Sequence, residues 1–325
     1  MSTQIAASAE LALDVSASVP FAEHAQLAAT VHLPADPPRG LLVCWPGGSY
    51  GRAYWDMQIP DHPGYSFADH LTAQGFAVLA ADHLGVGASS RPADGDRVDF
   101  ESAAAAAAAF VSQVRELAAA GAPELGGTPL SGLPIVGVGH SLGACLTTVA
   151  QARHRCYDAV ALLGFTHGAK DAAVSAAGAD AAAAADSARE TAVEQARAFF
   201  GESWDDVYGL APRAPHHGWL HRPDVPAAVI AADDARVERW PRELYVQALT
   251  AGYSAEFAAA IECPVFLGFG DHDVPPVPHD DVRFYTASRD VTLYVLENAA
   301  HCHNFASTRT RLWDRIGRWA AATAA

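Results

Sequence analysis

The chain has 325 residues, half of them hydrophobic and 18% charged, with a formal net charge of −16. That length suits one large α/β domain, or a domain with a sizeable insertion, and the composition readily builds a large core. The acidity, with a single lysine at Lys170, excludes nucleic acid and anionic membrane as expected partners, because both need a basic patch.

Two early strand-like runs, Glu10–Ser16 and Gln26–Leu33, alternate in part and lie close in sequence. They predict an antiparallel pair at a sheet edge. Six later runs are continuously apolar: Gly40–Trp45, Phe76–Ala81, Pro134–Gly139, Ala159–Gly164, Pro264–Phe269 and Val291–Leu296. Parallel strands buried on both faces read this way. Helical patterns separate them at Ser66–Gln74, Glu101–Ala120 and Leu142–Arg153, and Ser307–Ala322 closes the series with Leu312, Trp313, Ile316 and Trp319 on one face. Strands alternating with helices imply a parallel sheet with right-handed crossovers.

The rhythm breaks from Phe165 to Glu262, where no strand is read. An alanine-rich helix is expected over Asp171–Phe200, where Arg189, Glu190, Glu194 and Arg197 alternate with apolar residues. Gly201–Pro226 is rich in aromatics, His and Pro, and short helices are expected in Ala227–Ala235, Pro241–Thr250 and Ser254–Ile261. Such an insertion would lie over the C-terminal edge of the sheet, where open α/β sheets bind ligands. Residues 165–262 are therefore read as a helical cap, and 1–164 with 263–325 as the core.

Met1–Glu10 has neither a basic nor an apolar leader segment, and no later stretch reaches spanning length free of charges or turn residues. A cytoplasmic location is expected. Cys44, Cys145, Cys156, Cys263 and Cys302 are scattered and lack metal-ligand spacing, so they read as small hydrophobes in a reducing compartment.

The chemistry starts at Gly139-His140-Ser141-Leu142-Gly143. A G-x-S-x-G between a buried strand and a helix is the sequence form of a nucleophile elbow, a turn so tight that its flanking residues must be small. It lifts the serine hydroxyl above the sheet and sets the Leu142 N–H at a helix N-terminus, facing a developing oxyanion. A serine needs a histidine base, and the base needs an acid. Each should lie just past a strand. Gly270-Asp271-His272-Asp273-Val274-Pro275 follows the seventh run, and Ala300-His301-Cys302-His303 the eighth.

Serine, acid and histidine in this order resemble the α/β-hydrolase superfamily. That resemblance implies an eight-stranded, mostly parallel sheet flanked by helices, with a helical cap inserted after the sixth strand. The family's acid motif, a glycine, two variable residues, the acid, a hydrophobic residue and proline, selects Asp273 over its rival Asp271. A histidine after a small residue selects His301, with His303 as fallback and otherwise a supporting or core histidine. Asp82-His83-Leu84-Gly85-Val86-Gly87-Ala88-Ser89 resembles the family's D-x-R-G-x-G-x-S loop, with Leu84 in the arginine position, and is structural in the family. Trp45-Pro46-Gly47-Gly48-Ser49 stands where the family commonly has His-Gly-x, with Pro46 in place of the histidine. An N–H of this turn completes the oxyanion hole, with Gly48 the first choice and Ser49 the second.

A serine at 141 disfavours the dehalogenases and epoxide hydrolases of the superfamily, which attack with a carboxylate. The expected activity is a serine hydrolase cleaving a carboxylic ester or lactone through an acyl-enzyme. Alternatives are a carbon–carbon bond hydrolase or cofactor-free lyase using the same triad, and a non-catalytic ligand-binding protein. Substrate contacts are expected from Ser49, Tyr50, Arg52, His140, Trp219 and Trp240, with Tyr54, Trp55, His216, His217 and Tyr245 also in reach of the site. Arg52 could fork onto a substrate carbonyl or carboxylate, or pair with Asp56 or Asp61. His216-His217 lacks a third ligand at suitable spacing, so no metal and no cofactor is expected. Cys302 is read as filling space behind His301. An apolar cap over an apolar pocket suits a small, uncharged, moderately hydrophobic substrate. A homodimer is left open.

Overall fold

A computed structural model describes residues 7–168 and 181–323. Lys170 and the first ten residues of the helix expected at Asp171–Phe200 lie outside the described residues. In chain order the strands are β1 (Ala7–Asp14), β2 (Gln26–Leu33), β3 (Leu41–Trp45), β4 (Asp56–Ile59), β5 (His62–Ser66), β6 (Ala77–Ala81), β7 (Ile135–His140), β8 (Ala159–Leu163), β9 (Tyr208–Gly209), β10 (Trp240–Pro241), β11 (Val265–Gly270) and β12 (Val291–Leu296). The helices are α1 (Phe67–Thr72), α2 (Phe100–Ala120), α3 (Leu142–His154), α4 (Ala181–Phe200), α5 (His217–Leu220), α6 (Ala227–Asp234), α7 (Arg242–Leu249), α8 (Ala255–Ala259) and α9 (Arg309–Thr323).

Eight strands form one sheet in the order β1-β2-β6-β3-β7-β8-β11-β12. β1 and β2 are antiparallel, as their alternation predicts, and β2 also runs antiparallel to β6. From β6 to β12 every pair is parallel. This is the α/β-hydrolase arrangement. The apolar runs are continuous because each strand feeds two cores. Leu41, Val43 and Trp45 enter one core, while Leu42 and Cys44 enter the other, as the two-residue period of a strand requires. Helix α3 is buried almost all round, which explains why it shows little amphipathic pattern. Helix α2 opens on a capping box of Asp99 and Ser102 and stops at Gly121, where φ is 70°.

The chain leaves β3 toward β6 on one side and leaves β7 toward β8 on the other. The C-terminal ends of adjacent β3 and β7 therefore diverge and leave a crevice, the place where open α/β sheets bind ligands. The loop at Gly47 and the elbow at Ser141 both lie there.

Two elements depart from expectation. The β4–β5 hairpin is not among the eight runs marked from the sequence; it holds Pro60 and Pro63, and Asp61 turns it at φ 60°. The interval after β8 holds helices, as its periodicity predicts, plus a two-residue β9–β10 pair. Among the described residues no helix is long and apolar enough to cross a membrane.

Candidate active site

Ser141 sits between β7 and α3 at φ 54° and ψ −121°. A non-glycine residue there carries strain of about 1–3 kcal/mol, and the packing shows what holds it. A Cβ at Gly139 would strike the Gly143 carbonyl, and one at Gly143 would strike the carbonyls of Trp45 and Pro46. Both glycines of the motif are thus required by backbone approaching backbone. The Ser141 N–H donates to the Leu163 carbonyl at the end of β8 at 2.7 Å, tying the elbow to its neighbour strand.

His301 Nε2 lies 2.9 Å from Ser141 Oγ, and His301 Nδ1 lies 2.7 Å from Asp273 Oδ1. Ionised Asp273 only accepts, so Nδ1 carries the proton and Nε2 presents its lone pair to the serine. Oδ1 also accepts the Val274 N–H at 2.7 Å; Oδ2 accepts the Gly270 N–H at 3.0 Å and His303 Nε2 at 2.6 Å. Burial pushes the Asp273 carboxyl up, but the facing His301 and His303 outweigh it and hold the group well below the usual carboxylate range. His303 is thus on the far oxygen of the acid and does not face Ser141. Asp271, the rival acid, takes the N–H groups of Asn298 and Ala299 and anchors the loop that carries His301.

His140 stacks on Tyr54 at 4.8 Å, and its Nε2–H donates to the His301 carbonyl at 2.8 Å. Burial, with His301 and His303 nearby, holds its ionisation well below the usual histidine range, so it stays a neutral strut. Trp219, from the insertion, lies flat on the His301 ring at 4.2 Å and 15°. The carbonyls of Trp219 and Leu220 accept the N–H groups of His301 and Cys302 at 3.2 and 3.0 Å. The histidine loop is therefore held from below by the sheet and from above by α5.

The loop after β3 is clamped in the same way. The Ser49 carbonyl accepts from Glu238 N–H at 2.9 Å and from the Arg213 guanidinium. Arg213 is paired with Asp233 at 2.6 Å, both fully buried, and lies 3.6 Å over the Tyr50 ring. Asp233 further accepts from Tyr50 Oη at 2.9 Å and His221 Nε2 at 3.0 Å. A guanidinium in contact with a carboxylate on one side and carbonyls on another is a cross-link between insertion and loop.

Ser141, Leu142, His140, His301, Gly48, Ser49, Tyr50 and Trp219 all line one cavity of about 40 Å³, together with Gly47, Phe199, Arg213, His216, Leu220 and Tyr245. Two expected substrate contacts lie elsewhere. Arg52 pairs with Asp82 at 3.2 Å and Glu10 at 2.7 Å, neither of the partners expected from sequence, and lines a separate surface groove. Asp82 also takes the N–H groups of Arg52 and Ala88, so the D-x-x-G-x-G-x-S loop folds around a buried carboxylate. Trp240 is buried behind the wall, its Nε1–H donating to the Tyr50 carbonyl at 2.8 Å. Trp55 packs on Phe67, away from the cavity. Cys302 fills the space between Tyr50 Oη, 3.1 Å away, and the histidine loop. His217 bonds Asp234 while His216 stacks on Phe199, so the adjacent pair diverges. Among the described residues no cluster of His, Cys, Asp or Glu is arranged to hold a metal ion. Sequence reasoning did not find Arg213, Asp233 or Phe199. Arg213 and Asp233 stand 20 residues apart, at no spacing that a motif records.

Residues 65–305 match the hydrolase family described as serine aminopeptidase, S33. No curated protein matches the chain. Among solved structures, a thermostable carboxyl esterase from Bacillus coagulans superposes with a TM-score of 0.66 at 17% identity, covering 98% of this chain and 99% of that one. A thermophilic esterase from Thermogutta terrifontis gives 0.62 at 16% identity, covering 93% and 95%. A haloalkane dehalogenase variant from Bradyrhizobium elkanii gives 0.59 at 14% identity, covering 98% and 97%. At these identities the likeness is one of fold, which hosts several chemistries.

Proposed function

The chain belongs to the α/β-hydrolase family described as serine aminopeptidase, S33, and from that membership we propose that it hydrolyses a carboxylic ester or lactone of a small, uncharged, moderately hydrophobic substrate. The observation that carries the reading is the Ser141–His301–Asp273 chain, at 2.9 and 2.7 Å, opening on a cavity. Ser141 Oγ attacks the carbonyl carbon as His301 Nε2 takes its proton. The carbonyl π pair moves onto oxygen, facing the N–H groups of Leu142 and of Gly48 or Ser49. Collapse expels the alcohol, which takes the proton from His301. Water, deprotonated by the same nitrogen, then releases the acid. Asp273 holds the imidazole in the needed tautomer and offsets its charge once it is protonated.

The lining residues favour an uncharged substrate over an aminopeptidase's. A free α-ammonium group calls for a carboxylate in the cavity, and none of the lining residues is Asp or Glu. A substrate carboxylate finds no free partner either, because the N–H groups of Arg213 are taken by Asp233, Ser49 and Arg236. A serine, and no carboxylate, at 141 argues against dehalogenase or epoxide-hydrolase chemistry. The small cavity, of about 40 Å³, favours a small acyl group.

The test is labelling with a fluorophosphonate and turnover of a panel of short and medium chromogenic esters and lactones, with Ser141→Ala alongside. Both activities should vanish in the variant, a fall on the order of 10⁴-fold or more. A wild-type protein that neither labels nor turns over any of them sinks the proposal.

A further inference from the structure

Tyr245 enters the cavity from α7, and the mechanism above gives its hydroxyl no part. Its ring is fixed by Phe200 at 4.6 Å, Phe199 at 5.3 Å and Trp240 at 6.2 Å. The hydroxyl rests against the α-carbon of Gly48, in the space a side chain there would occupy. A Cβ at Gly48 would collide with Tyr245 Oη and come 2.7 Å from Cζ. One residue earlier, a Cβ at Gly47 would come 3.0 Å from Ser141 Cβ. The same two-glycine backbone thus touches both the nucleophile and this phenol, and all four residues line the one cavity.

The hydrogen bonds around the phenol have an assignable direction. Arg213 Nε–H can only donate, and it points at Ser49 Oγ at 3.3 Å. Ser49 Oγ accepts that proton, which leaves its own O–H to turn toward the Tyr245 phenol, whose ionisation it eases against the effect of burial. With the Ser49 O–H so turned, the phenol proton is left for the cavity. Burial pushes the ionisation of Tyr245 up, so the proton stays on oxygen at neutral pH. In the adjoining turn the Tyr50 N–H already donates to the Gly47 carbonyl at 3.1 Å, which removes one backbone donor from the same region. A chain running from guanidinium to serine to phenol polarises the last O–H, and a ring packed on three sides holds it in place before the substrate arrives.

We propose that the Tyr245 hydroxyl is a catalytic donor, hydrogen-bonding the substrate carbonyl oxygen and the oxyanion it becomes, beside the backbone donors at Leu142 and the Gly48 turn. This rests on the acyl-transfer reading of Ser141. No proton leaves Tyr245: the serine proton goes to His301 Nε2, the carbonyl π pair goes to oxygen, and the phenol only strengthens its bond as charge grows. Ser49, in this scheme, is a positioning residue that orients the phenol proton.

The experiment compares wild type with Tyr245→Phe and Ser49→Ala. It uses p-nitrophenyl butyrate turnover and inhibition by a short alkyl trifluoromethyl ketone, which adds Ser141 to give a hemiketal oxyanion, with the corresponding trifluoromethyl carbinol as a ligand that cannot. Tyr245→Phe should lower kcat by about 10- to 100-fold with KM nearly unchanged, weaken the ketone by a similar factor and leave carbinol binding alone. Ser49→Ala should lower kcat several-fold in the same pattern, and it decides the matter if Tyr245→Phe fails to fold. Unchanged kcat and ketone affinity overturn the proposal and leave the role of Ser141 standing. Parallel losses for ketone and carbinol assign Tyr245 to packing and also overturn it. A wild-type protein that forms no hemiketal and turns over no ester overturns both readings.

Discussion

Asp273 and Asp233 are both wholly buried, and each holds a histidine, yet they do opposite work. Asp273 faces two imidazoles and two backbone N–H groups. Both ion-pair partners of this carboxylate are imidazoles, with no guanidinium paired to it among the described residues. In the proposed mechanism its charge is matched when the imidazolium forms on His301. Asp233 has a fixed guanidinium at 2.6 Å and hydrogen bonds from Tyr50 and His221. Its charge is already matched, so it locks the insertion to the loop after β3. A buried carboxylate is a catalytic tool when its compensating charge arrives with the reaction, and a structural tie when that charge is permanent.

The largest effect should come from removing the first charge. Asp273→Asn should lower kcat on the order of 10⁴-fold with little change in fold, while Asp271→Asn loses less than about ten-fold by loosening the loop. The reverse order in steady-state kinetics would move the acid by two residues. Breaking the second pair should appear in stability. Arg213→Met leaves Asp233 uncompensated and should destabilise by about 3–5 kcal/mol in urea titration; a loss below about 1 kcal/mol would mean that the pair is not the cross-link described. Third, Trp219→Ala removes the ring stacked on His301, and with it about 1 kcal/mol of stabilisation of the imidazolium face. A fall in kcat of about five-fold, restored in part by Trp219→Phe, is expected; full activity in the alanine variant would reduce Trp219 to a wall. The smallest effect on turnover belongs to Arg52→Ala. Its pairs with Glu10 and Asp82 are remote from the cavity, so KM should be unchanged, while stability should fall by about 1–3 kcal/mol because buried Asp82 keeps only its backbone N–H partners. A raised KM would restore the substrate contact that its sequence position suggests.

The readable parts of the molecule were those whose cause is local. Strands β2 and β12 fall at the boundaries their apolar runs predict, and β1 starts earlier than its run by a few residues. The motif at Gly139–Gly143 is legible because its spacing is local, although only Gly139 is restricted by backbone a few residues away; Gly143 is restricted by the distant carbonyls of Trp45 and Pro46. The loops that carry Asp273 and His301 were legible because each follows an apolar strand run, while the choice of Asp273 over Asp271 and of His301 over His303 came from the resemblance to the family's motifs. Arg52 was misplaced because proximity in sequence to the Gly47-Gly48 turn says nothing of direction: the chain turns at Gly51, and the guanidinium lands on Asp82.

The sequence alone determined the sheet, the elbow and the chain order of serine, acid and histidine, since periodicity and glycine spacing record short-range sterics. Only the tertiary structure decided that His303 shares the acid, that Trp219 covers the histidine, that Arg213 reaches Ser49 and that Tyr245 lies against Gly48. Those meetings join residues from 30 to more than 190 positions apart. They are selected by charge, hydrogen-bond direction and packing in three dimensions, none of which leaves a period or a spacing along the chain.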